Sequence, residues 1–440
     1  MKKIFLMLLL MLTCIGISSC NFLQNESKYD NSDLEYLLLG KSEDKQSYIY
    51  TDEYKNFTSL VGDFSTGLSE KLISRYYNEY DRMAVSPISI YMALAMATAV
   101  ASDDARLEIA SALGMSYEMI EEYTKYLYSI LNKEVYDDNN KLSYMVSLNN
   151  SIWLNQEMNY KQKGLELLRN SFYTDSYAAP FSSNNKAANK AVQDYVVRNT
   201  KGLINNEYNF GVDTLFLLIN TLYLKDAWNS IGQDLLFTKQ QYDFKNNDKK
   251  VKSLKLLMGD YNVGKSQHED GFDYFYTTTA RNLKLYFIKP TTKSLEEVFS
   301  SANLKMILNN TDYDCYNHEL KEEYYTRCLF PEFEASFNED IITLLKEEYG
   351  ISKIFRTYTA NYDKVSDEKC YTNAVIHQTK LIVDASGIEG AAVTIISNEG
   401  TSAPIEPYTK VFYDFILDQS FGYMITSGDT ILFSGVVNNL

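Results

Sequence analysis

Residues 214–224 read Thr-Leu-Phe-Leu-Leu-Ile-Asn-Thr-Leu-Tyr-Leu, an almost unbroken apolar run rich in β-forming side chains and bounded by polar groups. Such a run offers no polar face to water, so it requires a strand covered on both faces, deep inside a sheet with layers on either side. It is too short to span a membrane. Asn220 sits inside it, and a buried amide in that position needs a hydrogen-bond partner. A chain of 440 residues has the bulk to supply the covering layers as one large domain or two ordinary ones.

The covering elements show as helices. Ser86-Pro87 is an N-cap followed by proline at the first helical position. Ile88–Val100 after it is apolar nearly all round, which predicts a helix buried at the centre. Lys186–Arg198 is amphipathic through Ala188, Val192 and Tyr195, with Gly202 as a stop. Asn338–Tyr349 reads as a helix capped by Asn338, with Ile341, Leu344 and Leu345 on one side and Gly350 at its end. Helical and strand signals mix without regular alternation, so the expected class is α+β rather than a doubly wound parallel sheet. No repeat of solenoid or propeller length occurs.

The amino terminus addresses the chain for export. Lys2 and Lys3 precede an apolar run, Ile4–Leu12, and small residues lead to Cys20, the pattern of a signal segment over residues 1–19. Ile17-Ser18-Ser19-Cys20 resembles the bacterial lipobox, which implies a lipid on Cys20 and a place in the bacterial cell envelope, on the outer membrane. Residues 20–50 are polar and acidic and suit a solvated tether, leaving 51–440 as the folded domain. Cys315, Cys328 and Cys370 remain, an odd number from which at most one internal bridge can form, in any of three pairings.

Charge and motifs exclude several functions. Lys plus Arg number 42 against 58 Asp plus Glu, a net charge of −16, which disfavours nucleic acid as a partner. Gly259–Ser266 matches the phosphate-binding pattern Gly-x4-Gly-Lys-Ser, but the chain then enters a strand-like aromatic run instead of the helix a P-loop requires, so a turn is expected. Cys315, His318 and Cys328 have no second Cys/His cluster to complete a metal site. With three histidines and no Gly-x-Ser-x-Gly elbow, ordinary hydrolysis is disfavoured as well. The reading calls for no catalytic residue, no metal and no cofactor.

Residues 387–403 are the most unusual stretch. Read at period two, one face carries Ile388, Gly390, Ala392, Thr394 and Ile396, all small or apolar and none charged, and no proline appears before Pro404 and Pro407. Such a segment is fit to pair centrally in a sheet, yet it ends in loop material. With its flanks, Val383–Thr394 resembles the hinge and reactive loop of the serpins. Ser86-Pro87-Ile88-Ser89-Ile90, Thr200-Lys201-Gly202-Leu203-Ile204 and Asn220–Trp228 are similar to further motifs of that family. So are Phe330-Pro331-x-Phe333, Phe415…Asp418…Phe421 and Leu432–Asn438, all in the family's order.

The resemblance implies an α+β fold of three β-sheets and about eight or nine helices, displaying a reactive-centre loop over about residues 387–410. It implies suicide inhibition of serine or cysteine endopeptidases: the loop is cut, an acyl-enzyme forms, and the hinge side of the loop inserts into the main sheet. The alternative is a non-inhibitory binding lipoprotein of the same fold. In either case the chain is expected to be a monomer. The hinge would be Gly387, Ile388, Glu389, Gly390, Ala391, Ala392, Val393 and Thr394. A "shutter" controlling the parting of the sheet would be Ser86, Ser89, Asn220 and His377, with Asn220 and His377 satisfying each other. Trp228 would mark the "breach" where insertion begins. Counting from Gly387 places the reactive bond at Thr401-Ser402, whereas counting back from Phe421 lands near Thr409. The first is preferred, because the second would carry Pro404 and Pro407 into a central strand.

Overall fold

The computed structural model describes residues 37–42, 52–136 (52–58 by backbone alone), 142–228, 234–356, 362–372, 374–389 and 408–440. The signal segment, Cys20 and most of the tether lie outside these residues, as do Gly390–Thr394 and the Thr401-Ser402 bond. From the amino end run β1 (Leu38–Gly40), α1 (Asp52–Tyr76), β2 (Arg82–Val85), α2 (Pro87–Val100), α3 (Asp103–Leu113) and α4 (Tyr117–Leu131). There follow β3 (Lys133–Tyr136), β4 (Leu142–Asn155), α5 (Gln162–Phe172), β5 (Thr174–Ala179), α6 (Asn185–Asn199) and β6 (Phe216–Ala227). A strand-rich stretch holds β7 (Tyr242–Lys245), β8 (Val251–Leu254), β9 (Leu257–Met258), β10 (Asn262–Val263), β11 (Gln267–Glu269), β12 (Phe272–Thr278) and β13 (Lys284–Pro290). Then come α7 (Leu295–Val298), α8 (Ser301–Asn309), β14 (Tyr316–Asn317), β15 (Glu322–Phe330), β16 (Phe333–Asp340) and α9 (Ile342–Tyr349). The chain closes with β17 (Ile376–Asp384), β18 (Gly387–Ile388), β19 (Thr409–Ile416), β20 (Phe421–Ser427) and β21 (Thr430–Val437).

Among the described residues there are thus nine α-helices and three sheets, the α+β architecture expected. The largest sheet has fourteen strands in the order β1-β5-β4-β6-β18-β17-β16-β2-β21-β20-β13-β12-β11, with β3 added beside β4. It is two leaves joined at one parallel pair, Ser336 against Met83. A five-stranded sheet is built around β15, and β7 pairs with β8 as the third.

Helix α2 lies in the middle, packed on β4 and β6 of one leaf and β21 of the other. Ser86 caps it, Pro87 opens it, and every residue except Ala93 is buried. That burial explains why its sequence shows no polar face.

The 214–224 run is the strand β6, but it is not covered evenly: Phe216, Leu218, Ile219, Asn220 and Leu222 are only half-buried. The reason is topological. β4 pairs along one edge of β6 from Phe216 to Asp226, whereas among the described residues the other edge meets only β18, at Asp226 and Ala227. Asn338 does not cap a helix. It belongs to β16, where Phe333, Ala335 and Phe337 alternate inward; Ile341 stands at the cap position of α9, and Asp340 before it accepts the Ile342 amide on Oδ1 at 3.0 Å. Gly350, at φ 67°, ends that helix as read. Gly259–Ser266 passes through β10 into β11 with no helix after Lys265-Ser266, so the phosphate-binding context is missing. Cys315, Cys328 and Cys370 are all unbridged thiols.

Candidate functional site

The site is the gap between β6 and β17. An Asp384-centred turn reverses the chain at its upper end: Asp384 Oδ1 accepts from Ser386 N at 2.8 Å, Ser386 Oγ at 2.6 Å and Gly387 N at 3.3 Å. The turn delivers β18 into the sheet. Val383 pairs with Ile388 and Asp384 with Gly387 on one side, and Gly387 pairs with Ala227 and Ile388 with Asp226 on the other. A Cβ on Gly387 would stand 2.3 Å from the Asp226 carbonyl oxygen, so only glycine lets the backbones approach this closely. Ile388 is fully buried.

Trp228 braces the entrance. Its indole Nε1 donates to the Asp384 carbonyl at 2.7 Å, and its ring packs edge-on against Phe330. Trp228, expected at the breach, therefore holds the turn at Asp384.

Glu389 is the last described residue before the loop, and its backbone is left-handed at φ 47°. The Tyr223 hydroxyl donates to its Oε1 at 3.0 Å, while Oε2 is enclosed without a partner. Burial pushes the Glu389 carboxyl up to about 8. Asp226, fully buried on the neighbouring strand, is likewise pushed up by burial to about 7, against hydrogen bonds from Thr279 and the Arg281 amide. Two acids that favour their neutral forms thus flank the hinge.

Lower in the gap the shutter residues gather beneath the amino end of α2, in a different pairing from that expected. Asn220 and His377 do not bond each other; each bonds the helix cap. His377 Nε2 accepts the Ser86 amide at 3.1 Å, Ser89 Oγ donates to Asn220 Oδ1, and Asn220 Nδ2 donates to Asn150 Oδ1 at 2.8 Å. The strands that carry them, β6 and β17, have no pairing with each other among the described residues. His377 is buried, and desolvation lowers its pKa to about 3, so the ring is neutral. With Nε2 accepting, its hydrogen sits on Nδ1.

Sequence reading missed Asn150, Asp226, Tyr223 and the burial of Glu389. Asn150 left a usable trace, a polar amide inside the strand-like Leu142–Asn155, and it lies directly opposite Asn220 in the β4–β6 register. Asp226 is an acid flanked by apolar residues of a central strand. His318, once weighed as a metal ligand, instead meets the Tyr408 hydroxyl at 2.8 Å, on the surface.

Among the described residues the body is a three-sheet α+β fold in which β18 lies between β6 and β17. The family model described as serpin (serine protease inhibitor) matches residues 60–440, and the chain belongs to that family. It is 23% identical to an uncharacterized serpin-like protein of Acanthamoeba polyphaga mimivirus, over 92% of this chain and 97% of that one. It is 22% identical to the alpha-1-antiproteinase of Rattus norvegicus, covering 86% and 87% of the two chains. Among solved structures it is similar to the thermophilic serpin tengpin in its native state, with a TM-score of 0.70, 20% identity and coverage of 91% and 98%.

Proposed function

We propose that this serpin is a suicide-substrate inhibitor of serine or cysteine endopeptidases. The protease nucleophile attacks the Thr401 carbonyl, the Ser402 nitrogen departs as a new amino terminus, and an acyl-enzyme remains on Thr401. The freed segment from Gly387 then slides down between β6 and β17. It gains ladder hydrogen bonds on two sides and buries apolar side chains behind Ile388, at roughly 1.5–3 kcal/mol for each one fully covered.

One observation carries the reading. β18 already lies between β6 and β17, and below it the two strands have no pairing of their own among the described residues. The first inserted pairs are made and the remainder of the slot has free edges on both sides. The antiproteinase relative supports the same direction.

Cleavage falls at Thr401-Ser402 in this proposal, because residues 388–401 carry no proline and a strand of that length spans on the order of 45–50 Å. A lipid on Cys20 would hold the domain, through its acidic tether, at the bacterial outer membrane. No helix among the described residues is long and apolar enough to cross a membrane.

Incubation with a panel of serine and cysteine endopeptidases, followed by a denaturing gel, tests the proposal. A band at the mass of the protease plus the inhibitor less its released carboxy-terminal fragment, surviving denaturation, supports it. Clean cleavage with every protease and no such band would sink it, and would favour the non-inhibitory binding role.

A further inference from the structure

Below the hinge, the slot between β6 and β17 widens into a cavity of about 140 Å³. Its walls include Ile90 and Leu94 of α2, Leu218 and Leu222 of β6, and Ile376 and His377 of β17. The polar groups in the wall are mostly committed. Ser89 donates to Asn220, Asn220 donates to Asn150, and Gln378 accepts from Tyr208 and donates to Asn338. Two groups are left over. His377, 6% exposed, spends Nε2 on the Ser86 amide, and among the described residues nothing accepts its Nδ1–H. Thr221, 5% exposed, has a hydroxyl with no partner.

An apolar space of this size takes a ring of benzene dimensions. His377 lines the cavity with no acceptor for its Nδ1–H among the described residues, and the buried Thr221 hydroxyl lacks a partner, so a matching oxygen could bond there. A charged ligand is disfavoured, since the wall offers no cation and the chamber would desolvate a carboxylate. Water fits the two polar groups poorly as a filling, because most of the wall gives it nothing to bond.

We propose that this cavity is a binding site for a small neutral aromatic molecule bearing one carbonyl oxygen, an aryl ketone or its like, with the oxygen accepting from His377 Nδ1–H and the ring among the aliphatic side chains of α2 and β6. Because the cavity lies on the path of the inserting loop, an occupied site obstructs insertion; that consequence alone rests on the inhibitory reading.

Acetophenone and ethylbenzene make the decisive pair of probes, having nearly the same shape with and without the oxygen. Nitrogen-15-labelled histidine gives a simple spectrum, since the chain has only His268, His318 and His377. Acetophenone should bind, shift the His377 Nδ1–H resonance alone, and raise the melting temperature. Ethylbenzene should bind about tenfold more weakly and leave that resonance near its free position, one hydrogen bond being the difference.

Ala93→Leu, at the one position of α2 that is not buried, should fill the cavity and abolish binding while the protein stays folded. Ala97→Val serves if Ala93→Leu does not fold. Equal affinity for the two probes, no binding of either, or binding that survives the filled cavity would each overturn the site. Obstruction is read separately: with a protease that forms the stable complex, acetophenone should increase the fraction of inhibitor cleaved without trapping. Binding with no such increase would refute the obstruction and leave the site standing.

Discussion

Glu389 should make hinge docking depend on pH. In the docked hinge its carboxyl is raised from 4.5 to about 8 by burial, with Tyr223 and Lys225 of β6 and Lys380 of β17 pulling it down and Asp384 pushing it up. Once the hinge withdraws into water, the ordinary value returns. Between those two values the docked state holds a proton that the withdrawn state does not, so docking is most favourable below about pH 4.5 and weakens as the pH climbs towards 8. At 1.36 kcal/mol per pKa unit the ceiling is about 5 kcal/mol. The residue as a whole is half-buried, so solvent screening reduces this; about 2 kcal/mol, or roughly thirtyfold in the docking equilibrium, is the expected size. Glu389→Gln keeps the shape and an acceptor for Tyr223 but carries no charge. Amide hydrogen exchange over residues 381–389 reads the outcome: wild type and Glu389→Gln should be equally protected near pH 5 and should diverge by pH 8, with the wild type exchanging faster. If the two proteins track each other across the whole range, the carboxyl does not govern docking.

Asp226→Asn removes a second buried acid whose value is raised from 3.8 to about 7, so its melting temperature should match that of wild type below pH 3.8, pull ahead as the pH rises and exceed it most above pH 7, as differential scanning fluorimetry would reveal. Ile388→Arg places a charge at a fully buried position of the docked hinge; it should shift the protein from inhibitor towards substrate, read as a higher ratio of inhibitor consumed per protease trapped. His377→Ala or Asn220→Ala strips a partner from the cap of α2 at a cost of about 1–3 kcal/mol, and should lower melting and increase polymer on native gels after mild heating. Peptide mass spectrometry of the denaturation-resistant complex should find a released fragment starting within two residues of Ser402; one starting at Thr409, Lys410 or Val411 would move the cleavage point past the prolines.

The parts of this fold that could be read from the chain are those specified by local chemistry. Ser86-Pro87 fixes a helix start by capping and by a preset φ, and the structure has both. Gly350 marks the end of α9 because only a left-handed residue fits there. The Asn338 cap failed because the Phe333–Phe337 alternation extends β16 through it, and sheet pairing with β17 outweighed a local capping preference. The even burial read for β6 failed for a related reason. Composition records how apolar a strand is but not whether a neighbour is present on each edge, and here one edge is largely vacant. Ser86, Ser89, Asn220 and His377 do come together at the start of α2, but their hydrogen-bond pairing depended on two strands far apart in sequence. The buried state of Asp226 and Glu389 was the least accessible, since an acid in a strand is ordinarily placed on the wet face.

The central claim is that the β6–β17 gap stores free energy that a cut loop can release. Cleaving the loop with a protease that leaves no complex, then melting the nicked protein, tests it most directly. The account predicts that the nicked chain melts well above the intact one, because residues following Ile388 complete the sheet as a central strand. A nicked protein that melts at the same temperature or lower would contradict it.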